Sequence, residues 1–150
     1  MSSDLKQDIL DSIDDINDLV ETYKDLLNKV KHKKPDLVEL AALGSVMQSF
    51  YNGIEGIFLL IAKQIDLQTP NDNAWHQTLL NQVLEKTSER SNVITIETAS
   101  KLAPYMKFRH FFRHAYSFML DWERLQPLVN ELETVWDTTG DELVTFCDNL

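Results

Sequence analysis

Apolar residues that return every three or four positions, with little to interrupt them, constrain this chain most. Leu5, Ile9, Ile13, Ile16, Leu19, Val20, Tyr23, Leu27 and Val30 form the first series, a spacing that puts them on one face of an α-helix. Leu37, Leu40, Leu43, Met47, Phe50, Tyr51, Ile54, Phe58, Ile61 and Ile65 form the second; Trp75, Leu79, Leu80, Val83 and Leu84 the third. Trp122, Leu125, Leu128, Val129, Leu132, Val135, Trp136, Leu143 and Phe146 close the chain. Only four Gly and four Pro punctuate 150 residues. Each apolar face needs another to bury against, so the pattern predicts an all-α, antiparallel helical bundle of about four to six helices.

The spacing predicts a first helix over 4–31, capped by Ser2 or Ser3, and a second over 36–65. A third, capped by Asn71 or Asp72, runs through about residue 89, followed by a short turn around 96–102. A further helix follows Pro104, and the last begins near Trp122, with Pro127 as a start or kink and Thr138, Thr139 and Gly140 as an interruption. Gly44, Gly53 and Gly56 lie inside the second helix at about 1 kcal/mol each relative to Ala. That cost predicts a tight crossing flanked by Ser49 and Gly53, within the chain or at a dimer interface.

At this length, residues 1–150 are expected to form one domain with a core that needs no staple. The single Cys147 excludes an internal disulfide and fits a reducing compartment, so a cytoplasmic location is expected. The N-terminus has neither a basic start nor an apolar run, and the longest apolar stretch, 56–62, is too short to span a bilayer; no membrane partner is expected. Asp8, Asp11, Asp14, Asp15, Asp18, Glu21 and Asp25 line the polar face of the first helix with no His or Gly-bearing loop among them, which reads as solvation rather than a metal site. Cys147, in an acidic tail, has its pKa pushed up, which argues against a thiolate nucleophile.

Against a net charge of −10, one segment stands apart. Between Glu97 and Asp121 lie Lys101, Lys107, Arg109 and Arg113 and no acid, a local charge of +4 that leaves −14 for the rest. Its centre is Lys107-Phe108-Arg109-His110-Phe111-Phe112-Arg113-His114-Ala115-Tyr116. On a wheel of about 100° per residue, Phe108, Phe111, Phe112, Ala115, Phe118 and Met119 cluster as an apolar stripe expected to be buried. Arg109, Arg113, Ser117, His110 and His114 share the other face, with Tyr116 on the border. Paired guanidiniums and imidazoles suit phosphodiester chemistry, because arginine forks onto phosphate and histidine moves a proton near neutral pH. The acidic remainder argues against indiscriminate nucleic-acid binding, so any RNA contact must be local. The basic run at 29–34 is a second cationic cluster; it complements a helix C-terminus, and beside Arg109 it would extend a phosphate track. His76, alone in its helix, reads as a solvated or capping residue.

Arg109, His114 and Tyr116 together spell R-x4-H-x-Y. This resembles the signature of the HEPN superfamily, specifically the HepT-like toxins of HEPN–MNT toxin–antitoxin pairs. The residue after the arginine is usually polar there, often Asn; here it is His110. The resemblance implies a metal-independent endoribonuclease that needs no cofactor, with RNA, tRNA foremost, as substrate. Arg109 and His114 would be catalytic, His110, Arg113 and Lys107 supporting RNA contacts. It also implies a homodimer with two motifs at one cleft, and a minimal nucleotidyltransferase antitoxin that places AMP on Tyr116. Two rival readings are a non-catalytic helical module that binds a nucleotide or an acidic partner, and a purely structural oligomerisation bundle. A zinc grip by His110 and His114 is disfavoured by the flanking cations and the lack of an H-E-x-x-H pattern.

Overall fold

The computed structural model describes residues 2–150, without the side chains of Ser2, Ser3 and Ser117. Those are two proposed capping residues and one member of the expected cationic face, so these three expectations lie outside the described residues. Six α-helices and no strand are present among the described residues: α1 (Ser2–Thr22), α2 (Lys24–Lys29), α3 (Leu37–Ile61), α4 (Trp75–Gln82), α5 (Ile96–His114) and α6 (Trp122–Asp148). None is long and apolar enough to cross a membrane.

Packed pairs show the antiparallel order. Ile16 of α1 abuts Gly53 of α3, while Leu5 lies in one groove with Gln64 and Ile65 beyond the end of α3. Thr98 of α5 donates to Glu142 of α6, and Tyr105 of α5 donates to the Leu128 carbonyl at 2.6 Å. As one number rises, the other falls. Phe50 of α3 sits at the centre, edge-on to both Tyr105 and Trp136. Truncating so buried an aromatic typically costs about 3–5 kcal/mol.

The expected first helix breaks at Tyr23 and ends at Lys29, although its apolar face is buried and its acids are exposed as read. Asp36 opens α3 with a capping box: its carboxylate accepts the Glu39 N–H at 2.8 Å, and the Glu39 side chain accepts the Asp36 N–H at 3.1 Å. Leu37, expected in the apolar spine, is exposed in the first turn. Past Ile61 the helix widens into a π turn (Ala62–Asp66) and stops at Leu67, whose φ of 54° is left-handed. α4 is shorter than expected. Asp72 accepts the Ala74 N–H ahead of it, and the chain leaves the helix after Gln82.

The connector to α5 is locked by Arg90, which the sequence reading passed over. Its guanidinium forks onto Asp66 at 2.7 and 2.9 Å and donates to the carbonyls of Glu85, Ser91 and Gln82. Burial pushes the Asp66 pKa up, but hydrogen bonds from Arg90 and Gln82, with the Arg90 charge, bring it net below its ordinary 3.8.

Pro104 does not start the motif helix: α5 runs unbroken from Ile96 through it to His114. Thr95 caps it, accepting the Thr98 N–H, and the Glu142 carboxylate takes the Thr95 N–H at 2.7 Å. Thr138, Thr139 and Gly140 do not interrupt α6, and the buried Thr139 hydroxyl is satisfied within it by the Val135 carbonyl at 2.7 Å. The expected tight crossing occurs twice, with different partners. A Cβ on Gly44 would sit 2.7 Å from the Phe112 ring, and one on Gly53 2.9 Å from Ile16, whereas Gly56 faces open space.

Candidate functional site at the end of α5

The buried face of α5 is Thr98, Ala99, Leu102, Tyr105, Met106 and Arg109. Arg109 therefore continues an apolar stripe into the bundle, with only 9% of its side chain exposed, and does not share the open cationic face expected for it. Its charge is met from α3. Nη1 donates to Asn52 Oδ1 at 2.7 Å and to Glu55 Oε1 at 2.9 Å. From α4, His76 closes the network: its Nδ1 lies 2.8 Å from Glu55 Oε2, and Arg109 Nη2 lies 2.9 and 3.2 Å from its two ring nitrogens. His76 is thus neither alone nor merely solvated.

Hydrogen-bond logic assigns the protons. Arginine only donates and carboxylate only accepts. A neutral imidazole that carries its hydrogen on Nδ1 gives that proton to Glu55 and accepts from Arg109 on Nε2 at 3.2 Å; the 2.9 Å approach of Nη2 to Nδ1 is then a donor beside a donor and carries no hydrogen bond. The opposite tautomer sets two acceptors against each other, and imidazolium sets a cation against the guanidinium. Within this network two buried polar atoms, Arg109 Nε and the Tyr51 hydroxyl, have no partner among the described residues. Burial raises the Tyr51 pKa, the Glu55 charge adds to the rise and Arg109 offsets part of it.

Lys107, His110, Arg113 and His114 are exposed. The His110 and His114 rings meet edge-on with centroids 5.1 Å apart, and among the described residues no third His, Cys, Asp or Glu joins them. Arg113 and His114 form the last turn of α5, where positive charge complements the helix dipole. The helix ends there because Ala115 is extended, and a short 3-10 turn (Ser117–Met119) follows. The continuous helix expected through this stretch, and the side of it assigned to Tyr116, are corrected accordingly. Tyr116 and Phe118 stack in parallel at 5.6 Å and are 70% and 71% exposed. Of the apolar stripe expected to be buried, Phe108 and Phe112 pack on the core, but Phe111, Phe118 and Met119 are exposed. In the 29–34 run, Lys29 pairs with Glu39 at 2.7 Å, and Lys34 borders a groove shared with Leu120, Asp121 and Trp122 just beyond the motif. Cys147 is buried, and desolvation, more than the neighbouring Asp148, raises its pKa.

The fold and site are those of an all-α bundle in which α5 carries Arg109, anchored inward, and His114, with Tyr116 just beyond its end. A family model described as HepT-like protein matches residues 42–150. The match spans well over half of the chain, which belongs to the HepT-like family of the HEPN superfamily. No curated protein and no solved structure matches it significantly.

Proposed function

We propose that the chain is a toxin-type endoribonuclease that cleaves RNA, tRNA foremost, in the cytoplasm without a metal or other cofactor. The observation that carries this is the pairing of the family's motif with an exposed cationic helix end, Lys107, His110, Arg113 and His114, on an otherwise acidic chain. The RNA's 2′-oxygen attacks the adjacent phosphorus as the bond to the 5′-oxygen breaks. One proton leaves the 2′-hydroxyl and one reaches the departing oxygen, giving a 2′,3′-cyclic phosphate and a 5′-hydroxyl end. His114 takes or supplies a proton, and Arg109 offsets the negative charge that grows on the phosphoryl oxygens. His110, Arg113 and Lys107 hold the flanking backbone.

Exposed Phe111, Phe118 and Met119 beside the motif support a homodimer, since large apolar side chains left at a surface are buried when a second copy packs on them. Exposure of Tyr116 supports AMP transfer by a nucleotidyltransferase antitoxin: the phenol oxygen attacks the α-phosphorus of ATP and diphosphate leaves. The anionic adduct then occupies the surface that would hold RNA. A second reading is favoured by the burial of Arg109: a non-catalytic nucleotide- or partner-binding module in which that arginine is structural.

Purified chain, with Tyr116 verified as unmodified by mass spectrometry, is incubated with total bacterial RNA in EDTA beside His114→Ala and Arg109→Lys. Discrete fragments ending in cyclic phosphate from the wild type, and none from folded variants, support the nuclease. A strict metal requirement refutes the mechanism, and intact RNA hands the case to the binding module.

A further inference from the structure

The helix face that carries Leu102, Tyr105 and Met106 would accept an apolar residue at position 109, and burying an ion pair in place of such a residue is commonly neutral or costly. Arginine there needs a reason beyond stability. The network around it also has a direction. Glu55 is 4% exposed, Arg109 9% and His76 22%, so the carboxylate forms the base, the guanidinium the middle and the imidazole the mouth. Three elements distant in sequence supply it: α3 gives Asn52 and Glu55, α4 gives His76 and α5 gives Arg109.

The bonding is incomplete in an informative way. Both Nη1 hydrogens are spent on Asn52 and Glu55, and one Nη2 hydrogen on His76. Nε finds no acceptor among the described residues. A guanidinium that served stability alone would use these donors, as Arg90 does with five bonds in the same molecule. Arg109 is fixed through Nη1 and Nη2, while its Nε lies buried without a partner among the described residues.

We propose that Asn52, Glu55 and His76 are positioning residues for Arg109: they fix its guanidinium in advance, and His76, at the mouth, is the member through which an arriving phosphate reaches it. The proposal rests on the ribonuclease reading for its consequence and on the geometry alone for the fixing. A fixed donor needs no reorganisation when negative charge develops on the phosphoryl oxygens, so the loss of its supports appears in turnover rather than in substrate affinity. His76→Gln keeps a donor for Glu55 and an acceptor for Arg109. His76→Phe keeps bulk and removes both. Because His76 is partly exposed, both variants are expected to fold.

Two readouts on the full-length chain test this. The first is the side-chain NMR spectrum of arginine, with Arg109 assigned by its loss in Arg109→Lys. The wild type should show separate, slowly exchanging Nη hydrogens for Arg109. His76→Phe and Asn52→Ala should average them, His76→Gln should largely restore them, and exposed Gln77→Ala should change nothing. The second is RNA cleavage. His76→Phe should lower kcat on the order of 30- to 100-fold with KM within about threefold, and His76→Gln should recover most of it. Freely averaged Arg109 hydrogens in the wild type overturn the proposal, as does full turnover by a His76→Phe chain in which they are averaged. If no chain cleaves RNA, the ribonuclease reading fails by itself. The NMR series then decides the fixing: restraint lost in His76→Phe upholds it, and restraint retained overturns it.

Discussion

Removal of the Glu55 carboxylate exposes what Arg109 costs the fold. Glu55→Ala deletes the acceptor 2.9 Å from Nη1 and the partner 2.8 Å from His76 Nδ1, and leaves a guanidinium charge in a site that is almost closed to water. Unit charges about 4 Å apart at an effective dielectric of about 20 attract by roughly 4 kcal/mol, before desolvation is counted. Breaking a buried pair from one side ordinarily costs about 3–5 kcal/mol, a large part of the stability of a small domain. Glu55→Leu with Arg109→Met removes both charges at similar volume, and should recover most of that loss and fold at least nearly as well as the wild type. Urea unfolding at neutral pH, followed by far-UV circular dichroism, gives the four corners of the cycle. If Glu55→Ala costs under about 1 kcal/mol, or the double variant is no better than Glu55→Leu alone, the pair is not the buried coupled unit described. The same cycle guards the activity tests: an inactive Arg109→Lys chain is uninformative if unfolded, whereas a stable but inactive double variant separates function from folding.

Three further outcomes follow from the geometry. Asp66 has a depressed folded pKa, so the stability it contributes is present above its ordinary 3.8 and is lost as pH falls through the folded value; the melting-temperature gap between wild type and Asp66→Asn should be widest near neutrality and close in acid. Gly44→Ala drives a methyl into Phe112 and Leu120 and should destabilise by about 1–3 kcal/mol, while Gly56→Ala, facing open space in the same helix, should stabilise by about 0.5–1 kcal/mol in the same denaturant assay. Leu67→Gly should relieve the left-handed backbone at an exposed position and raise stability by up to about 1 kcal/mol, and a lower melting temperature would show that its side chain has an undetected role.

The bundle was legible because amphipathic spacing is a local property: the faces of α1, α3 and α6 can be read from neighbours three and four apart. The α5 wheel failed for a definable reason. Starting it after Pro104, taken as a helix start, weighted it toward Phe108, Phe111, Phe112 and Phe118, and the apolar face came out on the wrong side of Arg109. Carried back through Thr98, Ala99, Leu102, Tyr105 and Met106, the same arithmetic centres the buried face within about 20° of Arg109. The signal was present; the proline hid it. A proline costs a helix one hydrogen bond and some strain, and tertiary packing on α3 outweighs that here.

The polar supports were hidden differently. Glu55 stands among apolar neighbours in α3 and His76 stands alone in α4, and each by itself reads as an ordinary surface or core residue. What joins them is a contact across 33 residues to Arg109 and another across 21 between themselves, which no local periodicity encodes. One trace does survive in the sequence. A glutamate on the buried stripe of a helix as apolar as α3 must find a cation, because a lone carboxylate is too costly to bury. The nearest unspent candidates were the arginines of the one segment with no acid of its own. Counting obligatory partners for charges on apolar faces, rather than grouping charges by proximity along the chain, would have paired Glu55 with Arg109 and moved the arginine from the open face to the interior.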